Sequence, residues 1–193
     1  MLCDIMNQIC IMEKGTVMDE GSIQVYYGKG RGKTTAVLGL GIRVAGSGKT
    51  AIMVQFLRCK HSETLEFLKK LEPELQVFRF ESGMDDYTNL PEEKRREQVM
   101  NIRMGLSYAR KVMDTAQCDL LILDGVFGLV ELGIISEEEL VELVHRKDDS
   151  MDLILTGRIL PDSIRQMADS IYCITTEREK KRGILDPRSS ADL

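Results

Sequence analysis

Short apolar runs alternate along the chain with longer segments whose apolar residues recur at helical spacing. Ile23–Tyr27, Thr50–Phe56, Leu75–Phe80, Leu120–Asp124, Asp152–Thr156 and Ser170–Ile174 read as strands, and Thr50–Phe56 is apolar throughout except for Thr50 and Gln55. Runs without strict alternation suit strands covered on both faces, which predicts a mostly parallel sheet. Helices are expected over Thr35–Ala45, Ser62–Leu71, Pro91–Asp114, Ser136–His145 and Pro161–Ala168. Ser62 and Ser136 stand where N-caps belong, three glutamates follow Ser136, and Pro91 opens the long helix with acids in its first turn. Strands spaced by helices give an α/β fold, a mostly parallel sheet with helices on both faces. The pattern places one domain over residues 21–176, an N-terminal extension over 1–20 and a charged surface tail over 177–193.

The first strand runs straight into Gly28-Lys29-Gly30-Arg31-Gly32-Lys33-Thr34-Thr35. A strand, a glycine-rich turn ending in Gly-Lys-Thr and a helix are the parts of a phosphate-binding P-loop. The glycines let backbone amides curl around phosphate oxygens, Lys33 supplies a point charge, Thr34 offers a hydroxyl to Mg²⁺, and the helix aims its positive end at the anion. The usual spacing puts four residues between the two glycines; Gly28 and Gly32 have three between them. The bland alternative is a surface turn rich in Gly and Lys, and the flanking strand and helix argue against it.

A second feature fits the first. Leu120–Asp124 is an apolar strand ending in an acid, which in P-loop proteins reaches the Mg²⁺ or its water shell. Such a strand is expected beside the P-loop strand. An Asp before Gly125 is also an ordinary turn former. Thr156-Gly157-Arg158 ends another core strand, and Arg158 is either a phosphate clamp in the same crevice or an arginine in an ordinary turn. Lys29 and Arg31, within the loop, leave the same choice open. His61 and His145 are isolated and read as solvated or structural. Met100, Met104 and Met113 read as helix packing.

Composition narrows the classes. The 193 residues suffice for one sizeable core, and the net charge of -5 lacks the basic footprint of a nucleic-acid binder. No apolar stretch reaches a membrane span, and the first residues lack the basic and apolar regions of a signal peptide, so a cytoplasmic protein is expected. Five cysteines (Cys3, Cys10, Cys59, Cys118 and Cys173) form no CxxC pair. Cys118 and Cys173, at the edges of apolar runs, read as buried free thiols of a reducing compartment.

With these residues in view, the chain resembles the P-loop ATP:corrinoid adenosyltransferases. The likeness begins at Gly28–Thr35, which is similar to that family's shortened phosphate loop. It continues through Gly39, Arg43, Ala45, Gly46, Gly48 and Lys49, then Val54-Gln55-Phe56 with Arg58, the strand ending at Asp124, Thr156-Gly157-Arg158, Met167-Ala168-Asp169, and Lys181 with Gly183-Ile184. The resemblance implies a RecA-like P-loop NTPase architecture, a homodimer, and ATP, Mg²⁺ and a corrinoid as ligands. It implies that Co(I) attacks C5′ of ATP and releases triphosphate, with electrons from a flavodoxin-type or other reductase. Lys33 and Asp124 would be the catalytic pair, Thr34 and Asp124 would hold Mg²⁺, and the amides of Gly30 and Gly32 would cradle phosphates. Gly28, Lys29, Gly30, Arg31, Gly32, Lys33, Thr34, Thr35 and Arg158 would make up the nucleotide site.

Two positions depart from that family. Its acidic strand usually ends Asp-Glu, the Glu being a metal ligand, and this chain has Asp124-Gly125. Its loop after the third strand carries aromatics that help expel the lower axial ligand of cobalt, and the corresponding stretch, Gly83–Tyr87, has only Tyr87. An ATP-binding relative without transferase activity, in a regulatory or corrinoid-handling role, is therefore the alternative, and another small P-loop NTPase is a third.

Overall fold

The computed structural model of the chain describes residues 20–57, 67–80 and 90–178. Among them are strands β1 (Ile23–Tyr27), β2 (Ala51–Gln55), β3 (Leu75–Arg79), β4 (Leu120–Asp124), β5 (Asp152–Gly157) and β6 (Ser170–Cys173). Helices α1 (Lys33–Gly46), α2 (Glu92–Asp114), α3 (Val126–Glu131), α4 (Glu137–Val144) and α5 (Asp162–Met167) connect them, with a 3₁₀ turn at Lys69–Leu71. The strands form one sheet in the order β3-β2-β4-β5-β1-β6, and each neighbouring pair is parallel.

Both faces of the sheet are covered, as the unbroken apolar runs demand. On one face Ile52, Val54, Leu121, Leu123, Leu153 and Leu155 pack with α2, α3, α4 and α5 through residues such as Ile102, Phe127, Leu140 and Ile164. On the other, Ala51, Met53, Leu120, Ile122 and Ile154 pack with Val37 of α1. Gly41 of α1 lies against Leu75 and Ile122, so the helix slants across the sheet from the end of β1 towards β3. Ile122 is fully buried at the centre of this face. Ile122→Ala is expected to cost about 2–5 kcal/mol of unfolding free energy, read from urea denaturation. A loss below about 0.5 kcal/mol, the usual limit for surface changes, would contradict this packing.

Local signals account for most boundaries. Ser136 caps α4 with a full capping box, its hydroxyl accepting from Glu139 N while the Glu139 side chain accepts from Ser136 N. Pro91 is the N-cap of α2, and Glu92 and Glu93 occupy its first turn.

The structure corrects several expectations. The acidic strand β4 does not adjoin the P-loop strand β1, because β5 lies between them. Strand order is decided by long-range pairing and leaves no local trace in the sequence. Helix α3 was not among the expected elements: its six residues are too few for a helical period to show. Cys118 is buried, which pushes its thiol up to about 12, whereas Cys173 is exposed on the edge strand β6. Met113 is buried, but Met100 and Met104 face outward at 66% and 50% exposure. The first half of the expected helix Ser62–Leu71 lies outside the described residues, and 67–71 form helical and 3₁₀ turns; Cys3, Cys10, Arg58, Cys59, His61, the Gly83–Tyr87 stretch, Lys181 and Gly183-Ile184, nearly all of the extension over 1–20 and most of the tail also lie outside them.

Candidate functional site

Ligand sites in open parallel sheets lie beyond the carboxyl ends of the strands. Here β1 ends at Tyr27 and the glycine-rich loop turns back into α1 at that edge. The segment after β6 crosses directly over the loop. Ile174 N donates to Tyr27 O at 2.7 Å, and Gly30 N donates to Ile174 O at 2.9 Å. A Cβ on Gly28 would collide with Ile174 O, and one on Gly30 would come within 2.7 Å of the Thr175 carbonyl carbon. Part of the glycine pattern thus serves a backbone-on-backbone approach. The Gly30 amide is committed to a protein carbonyl, which departs from the expectation that it cradles a phosphate. Gly28 N donates to Arg158 O at 3.2 Å, tying the loop to the end of β5 as well.

Lys33 closes the loop from inside. Its Nζ donates to Gly28 O and to Gly30 O, both at 2.7 Å. The ammonium is thereby held at the centre of the turn, beside the N-terminus of α1. Lys29, Arg31 and Thr35 are exposed around it. The Arg158 side chain is also exposed, and its backbone carbonyl is what touches the loop.

Beneath the first turn of α1 runs a row of polar side chains that the register of the sheet creates. Arg79 of β3 pairs with Gln55 of β2, and Gln55 with Asp124 of β4. In-register neighbours of parallel strands point to the same face. These follow Val77, Met53 and Ile122 by two residues, so they lie on the α1 face, and Thr156 of β5 continues the row. The contacts are continuous. Arg79 Nε donates to Gln55 Oε1 at 2.6 Å, Gln55 Nε2 to Asp124 Oδ2 at 3.1 Å, and Thr156 Oγ1 to Asp124 Oδ1 at 2.7 Å. From above, Thr34 Oγ1 lies 3.1 and 3.0 Å from the two Asp124 oxygens. Asp124, Thr156 and Gln55 are 0%, 1% and 4% exposed. A carboxylate buried to that degree needs donors on every side, and the row supplies them.

The structure brings Thr34 onto Asp124, with Lys33 beside Thr34 in the first turn of α1, although β4 is one strand removed from β1. The slant of α1 over β5 and β4 makes up the distance. Sequence reasoning gave no role to Gln55, Thr156 or Arg79. The signal was present: each is a polar residue at or near the carboxyl end of its strand, at the alternation phase of Asp124.

Gly125 follows with φ +83, and a Cβ there would sit 2.7 Å from Phe56 O. Its amide donates to Thr156 Oγ1 at 2.8 Å. Glu131 does not join the acidic group, because its Oε1 accepts from Ile159 N at 3.2 Å at the far side of α3. Among the described residues no group of three or more His, Cys, Asp and Glu is arranged to hold a metal. One carboxylate and one hydroxyl, both hard oxygen donors, suit Mg²⁺, which takes most of its remaining ligands from phosphates and water. No helix of the described residues is long and apolar enough to cross a membrane.

Residues 19–186 match the family described as ATP:corrinoid adenosyltransferase BtuR/CobO/CobP. The corrinoid adenosyltransferase of Escherichia coli (strain K12) is 28% identical over 156 residues, 79% of this chain and 76% of that protein. The corrinoid adenosyltransferase CobA of Salmonella typhimurium is 27% identical over 154 residues, again 79% and 76% of the two chains. Among solved structures, a KaiC-like protein from Pyrococcus horikoshii OT3 superposes with a TM-score of 0.51 at 16% identity, covering 82% of this chain and 75% of that one. The last likeness concerns the fold alone, a P-loop NTPase-like α/β sheet.

Proposed function

The chain belongs to the ATP:corrinoid adenosyltransferase family, and on that premise we propose that it transfers the 5′-deoxyadenosyl group of MgATP to the Co(I) of a corrinoid. In this reaction the cobalt electron pair forms a Co–C bond to C5′, the C5′–O bond breaks, and its electron pair leaves with triphosphate. Co(I) is already a strong nucleophile, so no general base is required. The protein's work is to hold C5′ in line and to stabilise the departing polyphosphate.

The observation that carries the nucleotide half is the meeting of Thr34 with Asp124 beside the loop-bound Lys33. Lys33 exchanges its loop carbonyls for phosphate oxygens and offsets the charge that develops on them. Thr34 and Asp124 would hold Mg²⁺, whose chemistry is to neutralise the polyphosphate. Lys29, Arg31 and Arg158, exposed at the same edge, would reach the outer phosphates, and Thr35 adds a hydroxyl to the helix start. A flavodoxin-type reductase would keep cobalt reduced, and a cytoplasmic homodimer is the form in which we expect the protein to act.

Gly125 favours a second reading, an ATP-binding member without transferase activity, because no acid stands where the family usually has its Glu. The deciding assay is anaerobic, with Co(I) corrinoid and MgATP. Co–C bond formation is followed spectrally and triphosphate by chromatography. Both products are expected in stoichiometric amounts. ATP binding with neither product would replace transfer by the second reading, and ADP or phosphate as product would make the chain a different P-loop NTPase.

A further inference from the structure

We propose that Gln55, oriented by Arg79, is the positioning residue for Asp124, and that this pair sets how tightly the site holds a Mg²⁺-bound nucleotide. Arg is a donor only, and an ionised carboxylate is an acceptor only. Between Arg79 Nε and Asp124 Oδ2 stands the Gln55 amide, a side chain that presents an acceptor to one and a donor to the other. The guanidinium fixes which way the amide faces: Oε1 must meet Arg79, so Nε2 must meet Asp124. One carboxylate oxygen is thereby pinned from β2 and the other from β5 by Thr156. With both oxygens held laterally, the carboxylate presents a fixed edge to Thr34. A carboxylate free to rotate about its last bond would spend part of its time turned from the metal. Register alone produces this arrangement, since Arg79, Gln55 and Asp124 are direct cross-strand partners.

The inference rests on the Mg²⁺ role proposed for Thr34 and Asp124, and it does not require the transfer reaction. Its test is equilibrium binding of ATP to the full chain with and without Mg²⁺, for the native protein, Gln55→Leu, Arg79→Met and Arg79→Lys, with a thermal melt of each. The native protein is expected to bind ATP more tightly with Mg²⁺. Gln55→Leu is expected to lose about 10-fold or more of that increment, the usual effect of removing a partner that orients a metal ligand. Metal-free ATP affinity stays unchanged. Arg79→Met shifts the increment in the same direction, and Arg79→Lys, which keeps a donor for Oε1, restores part of it. If Gln55→Leu does not fold, Arg79→Met decides. A folded variant that keeps the native Mg²⁺ increment overturns the proposal, as does a native protein with no increment. A uniform loss of both affinities would show a structural role only, which also overturns it. A native protein that shows the increment but makes no Co–C bond would overturn the transferase reading and leave this one standing.

Discussion

Lys33→Ala is expected to lower ATP affinity by about 100-fold or more while leaving the fold in place. The side chain stands inside the loop proposed to take the phosphates and makes two charge-assisted hydrogen bonds to loop carbonyls, both at 2.7 Å. Hydrogen bonds to charged groups are worth about 1.5–3 kcal/mol each, and about 2.8 kcal/mol corresponds to 100-fold in affinity. In the proposed complex, charged phosphate oxygens take the place of the two carbonyls. The loop itself does not depend on Lys33 for its position, because Ile174 and Arg158 hold it through backbone bonds. Lys33→Arg should not rescue binding fully, since a planar fork does not reproduce a compact ammonium between two carbonyls. Calorimetric titration with MgATP, next to a thermal melt, reads both halves. Unchanged affinity in a folded Lys33→Ala protein would remove the loop from the nucleotide site.

The second large effect has the opposite sign from what the sequence alone suggests. Restoring the missing acid by Gly125→Glu reads, at that level, as a way to raise metal-dependent activity. The structure reverses the expectation. Position 125 sits at φ +83, a conformation that costs an L-residue about 1–2 kcal/mol, and its Cβ would press on Phe56 O at 2.7 Å. Relief requires backbone movement, for which overpacking costs of about 1–3 kcal/mol are typical. The expected loss is about 2–5 kcal/mol of stability, with lower rather than higher turnover. Movement at Gly125 would also disturb its bond to Thr156, which holds Asp124. Gly125→Ala should lose a comparable amount, because strain and not charge is the cause. Urea denaturation of both variants reads this directly. A Gly125→Glu protein as stable as the native one and more active would show that the strand end rearranges freely.

How much of this was legible in the sequence depended on the range of the forces involved. β1 and β4 stand where their runs placed them: β4 is buried at all five positions, and β1 ends where the glycines begin. The cap of α4 was equally plain, since Ser136 and Glu139 satisfy each other within one turn. Lys33, Thr34 and Asp124 were each recognisable from local spacing, although their meeting was not. It depends on β5 pairing with β1, Ile23 against Leu153, and on the slant of α1, which its packing against Leu75 and Ile122 sets. The Arg79–Gln55–Asp124 row was hidden for the same reason. Each residue looks like one polar exception at a strand end until register sets them side by side. Met100 and Met104 show the limit of helical spacing, which marks an apolar stripe without saying what covers it.

The place of β1 in the sheet bears on the order in which the chain becomes competent. Its partners are β5, at Ile23↔Leu153, and β6, at Gln24↔Ser170. Neither exists until most of the polypeptide has left the ribosome. The glycine-rich loop is encoded early, and Lys33 can close it locally, yet the backbone bonds that dock it on the sheet involve Arg158 and Ile174. A nascent chain therefore carries the motif long before it carries the site. Contacts of such sequence separation slow folding, and they keep β1 an unpaired apolar strand during synthesis. If ATP binds at this loop as proposed, the fully docked site is complete only once residue 174 has arrived.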